Sequence, residues 1–203
     1  MADIPASGFG KNSAQSIIID SGVIYKNFKL TDGVFSGDIL GVTQGGVEIN
    51  IEKKYRRIEV DGAFRMPVVG TEVVESEEAS FTATMLELSA DMLRMVTGGV
   101  KKADAQTGYD LIEGRYTVTE DDYIQGFAIT GIQNGTGKHI IFAYDNVLIT
   151  SATKMKMEDK KEATVEMTGL AHATFEQLQG MQSPWHIYYP NSSSQQSIPN
   201  NGK

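Results

Sequence analysis

The chain has 203 residues, no cysteine and a formal net charge of −8 at pH 7. The lack of cysteine excludes disulfides, thiolate metal sites and cysteine nucleophiles, and the acidic balance argues against a protein that binds nucleic acid by neutralising phosphates. No apolar run approaches the ~18–20 residues of a membrane helix, and the N-terminal sequence MADIPASGFGKNSAQS lacks the apolar region of a signal peptide.

Composition divides the chain into three parts. Residues 1–16 are small, polar and aperiodic, and they predict a flexible N-terminal arm. Residues 190–203, PNSSSQQSIPNNGK, are rich in Ser, Asn and Gln and predict a disordered tail. Between them, residues 17–189 are long enough to bury one core and follow mainly a two-residue period. We therefore predict one β-rich domain over residues 17–189.

The first predicted strands lead into one long strand. SIIIDSGVIYKNF (16–28) has short apolar runs broken at 20–22, typical of strands at an edge or bend. In GGVEINIEKKYRRIEVDG (45–62), Val47, Ile49 and Ile51 alternate with polar residues, and an extended strand from 47 to 60 would reach about 45 Å. Ile58 and Val60 have the opposite parity, so a bulge or a change of packing environment is predicted between the two sets.

A return strand and a helix follow. DGAFRMPVVG (61–70) predicts a loop, EVVESEE (72–78) predicts a solvated acidic face, and ASFTATMLEL (79–88) predicts the hairpin partner of the long strand. Ser89 is a good N-cap for a helix with an apolar stripe at 92, 93, 95 and 96, which the pair Gly98–Gly99 would end.

The second half predicts further hairpins. YIQGFAITGI and HIIFAYDNVLIT flank the glycine-containing turn QNGTGK, and KMKM and EATVEMTGLAHAT flank the charged turn EDKK. FEQLQGM predicts a short helical turn, and PWHIYYP predicts a C-terminal strand packed on the core. The predicted fold is mainly β: two packed antiparallel sheets, sandwich- or barrel-like, with one flanking α-helix and a long β-hairpin.

No catalytic, cofactor-binding or metal site is predicted. NGTGK lacks the first glycine and the final Ser/Thr of a phosphate-binding loop, and it lies between two strands, so it predicts a hairpin turn. His139, His172 and His186 are scattered, with no metal-ligand spacing. No nucleophile elbow occurs.

The basic motif KKYRR (53–57) in an acidic chain admits three interpretations. It can be a solvated edge strand whose charges block aggregation, a nucleic-acid contact, or a subunit interface rich in Arg and Tyr. The neighbouring acidic residues 48, 52, 59 and 61 cancel the local positive field, which disfavours nucleic acid. An interface would find its counter-charges on an identical neighbour. The candidate interface residues are Glu48, Asn50, Glu52, Lys53, Lys54, Tyr55, Arg56, Arg57 and Arg65.

The order of these pieces resembles the major tail (tail tube) proteins of tailed bacteriophages, of the siphophage type and related prophage families. The resemblance rests on GDILGVTQGGVEINIEKKYRRIEVDG (37–62) and SFTATMLELSADMLRMVTGG (80–99), with DNVLIT and KMEDKKEATVEMTGLAHAT as closing strands. It covers about residues 17–175.

The resemblance implies a structural role in the virion tail, assembled in the host cytoplasm. Six copies would form a ring in which a sheet from each subunit joins an inner barrel, and rings would stack into a tube. The expected partners are other copies, a tape-measure protein, tail terminator and baseplate or tip proteins, and DNA in passage without specific binding. The strand 48–60 with its return at 80–85 would form the ring- or tube-forming hairpin, and 61–70 would contact the next ring. No cofactor, membrane or enzymatic activity is expected.

Three alternatives stay open at this point. The chain could be the inner tube of a contractile tail, bacteriocin or secretion machine, which a neighbouring sheath gene would favour. It could be a ligand-binding β-sandwich, for which Trp185, Tyr188 and Tyr189 are the aromatic cluster. It could also be a hydrolase with dispersed catalytic residues.

Overall fold

The computed structural model describes residues 13–62, 66–151 and 153–191, and all structural statements below concern these residues. The helices and strands, in chain order, are α1 (Ser13–Ser16), β1 (Ile18–Thr31), β2 (Val34–Ile39), β3 (Thr43–Arg57), β4 (Glu72–Met85), α2 (Ala90–Thr97), β5 (Val100–Gln106), β6 (Tyr109–Glu113), β7 (Ile124–Gln133), β8 (His139–Ile149), β9 (Met155–Lys156), β10 (Thr164–Ala171), α3 (Phe175–Gln179) and β11 (Trp185–Tyr188). The predicted arm up to residue 12 and the tail from residue 192 lie outside the described residues, so those two assignments stay predictions.

Nine strands form one antiparallel sheet and two form another. The large sheet runs β2-β1-β7-β8-β10-β4-β3, with β11 paired to β8 and β9 paired to β10, and the small sheet is the hairpin β5-β6. The mainly β fold, the long hairpin and the flanking helix are therefore confirmed.

The large sheet folds over to make two layers. Phe81 of β4 stacks on Phe127 of β7 with ring centroids 4.3 Å apart, although β8 and β10 separate these strands in the sheet. The fold falls between β8 and β10, which share only the short register from Gly169↔Ile149 to Ala171↔Val147. The layer of β2, β1, β7, β8 and β11 thus packs against the layer of β10, β4 and β3.

The core fills the space between the layers. Phe81, Phe127 and Tyr144 are each almost fully buried and their rings lie against one another. Burial raises the pKa of Tyr144 to about 12. Gly169 in β10 gives Phe81 its room, because a Cβ at that position would lie 2.3 Å from the Phe81 ring.

The sheet does not close into a barrel. Strands β1 and β3 contact each other across the open side, but among the described residues they share no hydrogen-bonded register. The first part of β1 is irregular: its pairing with β7 shifts between Ile19 and Val23, and Gly22 has a φ of 80°. This is the bend predicted from residues 20–22.

The predicted helix α2 and its caps are confirmed. Ser89 accepts a hydrogen bond from the Met92 backbone nitrogen at 3.1 Å, and Gly98 ends the helix in the left-handed conformation at φ 61°. Met92 and Val96 face the core. The hairpin β5-β6 was not predicted. The Lys101 ammonium in β5 lies 3.1 Å from the Asp91 carboxylate of α2 and 3.2 Å from the Asp110 carboxylate of β6, so it joins the hairpin to the helix.

The hairpins of the second half are confirmed. β7 and β8 pair from Ile124↔Val147 to Ile132↔His139 around the QNGTGK turn, and β9 makes two pairs with β10. β11 pairs with β8 from Trp185↔Tyr144 to Tyr188↔Ile141, as expected for a C-terminal strand on the core. In the described part of the chain, no helix has the length and apolarity to cross a bilayer.

Candidate assembly surface

The hairpin β3-β4 extends past the rest of its layer. β4 pairs with β10 only between Ser80 and Met85, while its pairing with β3 continues to Arg57↔Glu72. We name the two-stranded extension, residues 52–57 of β3 and 72–78 of β4, the ribbon. Six residues at about 3.3 Å each make it roughly 20 Å long. The structure thus corrects the predicted bounds: β3 ends at Arg57 rather than Val60, and the acidic run 72–78 belongs to the return strand.

The base of the ribbon is fastened to the C-terminal strand. The Lys53 ammonium lies 2.9 Å from the Glu77 carboxylate and 5.8 Å from the centre of the Trp185 ring, and the Trp185 indole nitrogen donates a hydrogen bond to Glu77. Burial alone would raise the pKa of Glu77, but hydrogen bonds from Lys53, Ser183 and Trp185 outweigh it and hold the pKa below its ordinary value. The hydrogen bond to Glu77 in turn raises the pKa of Lys53.

A bulge lies halfway along the ribbon. The register passes from Lys54↔Ser76 to Tyr55↔Val74, which leaves Glu75 as an extra residue on β4. A register shift therefore lies between Ile51 and Ile58 as the sequence suggested, but the extra residue is on the return strand and not on the long strand, for which the bulge or change of packing was predicted. Beyond it, Tyr55 and Val74 stand opposite each other and are 62% and 52% exposed. An aromatic and a β-branched residue form a favourable cross-strand pair, yet no residue in the described part of the chain buries this one.

The end of the ribbon carries several exposed apolar side chains beside the exposed carboxylates of Glu59, Asp61 and Glu72. Ile58 donates its backbone N–H to the Thr71 carbonyl at 2.7 Å, and the Arg57 guanidinium donates to the Met66 carbonyl, so these two bonds hold the described ends of the loop to each other and to β3. The large exposed apolar side chains there, which we name the ribbon tip together with Tyr55 and Val74, are Ile58, Val60, Met66, Val68 and Val69. Contiguous exposed apolar surface of this kind marks interaction sites.

The predicted interface residues fall into three places. Glu48, Asn50, Glu52 and Lys54 alternate on the exposed face of β3, and Tyr55, Arg56 and Arg57 lie in the outer half of the ribbon. Lys53 lies at the base and already has a carboxylate partner in its own chain, whereas the sequence predicted partners on neighbouring copies. Arg65 lies outside the described residues.

A groove lies at the opposite end of β3 from the ribbon tip. It encloses about 600 Å³ between the start of β1 and the start of β3. Its walls carry the glycines 22, 45, 46 and 131, and its apolar lining includes Ile18, Val47 and Ile129. Among the described residues that line it, Glu48 is the only charged one.

The positions of the described histidines and carboxylates bear on metal binding. Over the described residues, no group of three or more His, Asp or Glu is placed to hold a metal ion. The three histidines lie apart: His139 packs edge-on against Phe35, His172 against Tyr123, and His186 lies 3.3 Å from Asp145. Sequence reasoning did not identify Val74 or the groove, because their roles depend on which strands become neighbours.

Comparison with known proteins gives structural similarity only. No protein family matches the sequence, and no curated protein matches it. Among solved structures, a chain from the tail of an empty gene transfer agent particle, determined with C6 symmetry, matches with a TM-score of 0.39 and 16% identity over 76% of this chain and 92% of that chain. A chain from the virion of a native gene transfer agent particle matches with a TM-score of 0.37 and 15% identity over the same shares.

Proposed function

We propose that this chain is a structural, non-enzymatic subunit of a phage-type tail tube, whose copies form rings that stack. The observation that carries the proposal is the ribbon with its uncovered apolar tip. A lone protomer would keep Tyr55, Val74 and the other described side chains of the ribbon tip in water at a cost of about 25 cal/mol per Å² of apolar surface. A neighbouring copy that covers the tip recovers this free energy.

Unpaired sheet edges support the same proposal. Among the described residues, β2, β3 and β11 each pair with another strand on one side only. Exposed edges of this kind invite pairing with further strands, and proteins that remain alone cover or break them. If the sheet of each copy pairs with the sheet of the next, a closed ring of copies leaves none of these edges unpaired.

The charge distribution suits a channel that DNA passes without being held. Along the hairpin, Glu48, Asn50 and Glu52 lie on the exposed face of β3, opposite Thr82, Ser80 and Glu78 of β4. The carboxylates on this face repel phosphates, and the face carries no cation among these six residues. The family resemblance is the ground for two further assignments. Each ring contains six copies, and the partners are the tape-measure, terminator and tip proteins.

Assembly of the purified protein tests the proposal. We expect the wild-type chain to form tubes or ring stacks at high concentration in negative-stain electron microscopy, and Arg56→Glu to prevent them while leaving a folded monomer. The matched control is Lys29→Glu, an equal charge reversal on an exposed position of β1 in the other layer, which should assemble normally. A wild-type chain that stays monomeric at every concentration would overturn the proposal.

A further inference from the structure

A pocket of about 390 Å³ lies where β7 begins, beside β8 and the start of α3. We name it the β7-β8 pocket, and its lining includes Glu120, Tyr123, Gln125, Asn146, His172 and Phe175. It shares no lining residue with the groove between β1 and β3. Its volume falls within the range of ~300–1,000 Å³ that is usual for small-molecule sites.

Strand pairing places three polar side chains of this pocket in one row. Gln125 of β7 lies directly opposite Asn146 of β8, and His172, just past β10, donates its backbone N–H to the Asn146 carbonyl at 2.8 Å. Residues that lie opposite each other carry their side chains on the same face of a sheet. The neighbouring pair Ile124 and Val147 is buried in the core. Because successive side chains of a strand alternate between faces, the polar row lies on the face turned away from the core.

Two aromatic rings line the pocket beside this row. Tyr123 packs edge-on against the His172 imidazole, with the ring centroids 5.2 Å apart. Phe175 is the first residue of α3, and its side chain is 69% exposed. The face of an aromatic ring carries partial negative charge and attracts the C–H groups of a neighbouring molecule. The pocket therefore offers a ligand an aromatic surface next to polar groups.

The polar groups of the pocket have unused hydrogen-bonding capacity among the described residues. The Glu120 carboxylate and the Gln125 amide form no hydrogen bond or ion pair there, and the Asn146 amide makes one long bond, from its nitrogen to the His172 carbonyl at 3.5 Å. His172 Nδ1 lies 2.9 Å from the Leu170 carbonyl oxygen, which can only accept. Nδ1 therefore carries the proton, and Nε2 of the neutral ring is an acceptor.

These features favour a neutral ligand that is rich in hydroxyl groups. No Lys or Arg is among the described lining residues, and Glu120 repels anions, which argues against phosphates and acidic sugars. A cation would pair with Glu120 but would also face the amide hydrogens of Gln125. Hydroxyl groups both donate and accept, so they suit a carboxylate and an amide together. A pyranose ring combines such hydroxyls with an apolar C–H face.

We propose that the β7-β8 pocket binds a neutral pyranose ring, with Phe175 against its C–H face and Glu120, Gln125 and Asn146 bonded to its hydroxyls. The ring is either a free monosaccharide or the end of a glycan, since both present the same groups to the pocket. The proposal goes beyond the tube subunit and does not depend on assembly, because all these residues belong to one protomer. A chain that binds sugar but never assembles would overturn only the tube proposal.

Saturation-transfer NMR on the unassembled full-length chain tests the proposal. Glucose, galactose, mannose and N-acetylglucosamine are the probes, and at least one should receive saturation at its ring C–H protons with a dissociation constant in the millimolar range. Glucuronic acid, which is anionic, should receive none. The methyl glycoside of the sugar that binds separates the two sources: equal binding indicates the end of a glycan, and loss of binding indicates a free sugar. No transfer to any of the neutral sugars would overturn the proposal.

Matched variants locate the bound sugar. Phe175→Ala should weaken binding about tenfold, because it removes the aromatic contact, and Gln125→Ala should weaken it about fivefold or more, because a hydrogen-bond partner is lost. Leu178→Ala is the control: it is equally exposed on α3 at 70% but does not line the pocket, and it should leave binding unchanged. Circular dichroism checks that each variant is folded. If binding survives F175A and Q125A undiminished, the sugar lies elsewhere and the proposal is wrong.

Glu120→Gln separates a sugar from a cation. An amide still bonds hydroxyl groups, so sugar binding should change by less than about fivefold, whereas a cation would lose its only charged partner in the described lining. Choline is the probe for a cation, and wild type should give no saturation transfer to its methyl protons. Transfer to choline that E120Q abolishes would show that the pocket is a cation site, and it would overturn the proposal.

Discussion

The indole nitrogen of Trp185 donates a hydrogen bond to the carboxylate of Glu77, and this bond joins the C-terminal strand β11 to the base of the ribbon. Glu77 also pairs with Lys53 across the hairpin at 2.9 Å. The place where the ribbon leaves the body is therefore held by contacts between parts of the chain that are distant in sequence.

Loss of the indole donor should destabilise the protein. We expect Trp185→Phe to lower the free energy of unfolding by about 1–3 kcal/mol, since a hydrogen bond to a charged acceptor is lost together with some packing. Tyr188→Phe on the same strand removes a hydroxyl from a 40% exposed side chain and should stay within about 0.5 kcal/mol of wild type. Urea unfolding followed by far-UV circular dichroism measures both, and equal losses in the two variants would contradict the role given to Trp185.

The Arg115–Asp122 pair should make stability depend on pH. Burial alone would raise the pKa of Asp122, but the Thr119 backbone N–H at 2.8 Å and the Arg115 guanidinium lower it below the ordinary value of 3.8. A depressed pKa in the folded state adds stability that is present above pH 3.8 and is lost as the pH falls through the folded-state pKa. We expect Asp122→Asn to cost about 1–3 kcal/mol at pH 7. The gap to wild type should narrow at pH 2.5 in urea titrations, and a gap that stays constant with pH would contradict this assignment.

A methyl group at residue 169 should be more harmful than its size suggests. The added Cβ of Gly169→Ala would lie 2.3 Å from one Phe81 ring carbon and 2.7 Å from Val147 Cγ1, and such overpacking costs about 1–3 kcal/mol or more. Gly114→Ala, where a Cβ meets nothing within 4 Å, is the matched control and should be near neutral. In the G169A background, Phe81→Leu should cost less than it does in the wild type, which a double-mutant cycle of thermal or urea unfolding will show.

The ribbon should be dispensable for folding. Among the described strands, only β3 and β4 pair with each other on the ribbon side of Ser80. Replacing residues 54–76 by an Asn-Gly turn between Lys53 and Glu77 therefore removes no described core residue. We expect near-UV circular dichroism and cooperative unfolding close to those of wild type, with no tubes in electron microscopy. Loss of cooperative unfolding would show that the ribbon is part of the stable core.

Local signals account for the elements that the sequence predicted. The alternation from Val47 to Ile51 and the Ser89 and Gly98 caps each act within a few residues, and the structure confirms both β3 and α2. Two elements lacked such signals. β5, VKKADAQ, is almost wholly exposed and has no apolar face, and the start of β4 is acidic and is held in a strand by pairing with KKYRR.

The candidate site was predictable only in part, for a physical reason. The basic residues of the ribbon are visible in the sequence, but Lys53 turned out to be neutralised by Glu77 in its own chain. The groove exists because the sheet folds between β8 and β10 and brings β1 beside β3. That neighbourhood follows from the strand order, which no short stretch of sequence encodes.

The extra residue Glu75 has an evolutionary consequence. It lies on β4 outside the six rungs shared with β10, and a bulge increases the local twist of the strands that carry it. Insertion or deletion of one residue there would rotate the outer half of the ribbon, while the six β4–β10 pairs from Ser80 to Met85 would keep their register. If the chain is the tube subunit proposed above, one such mutation would change the pitch of the tube without altering the body of the subunit.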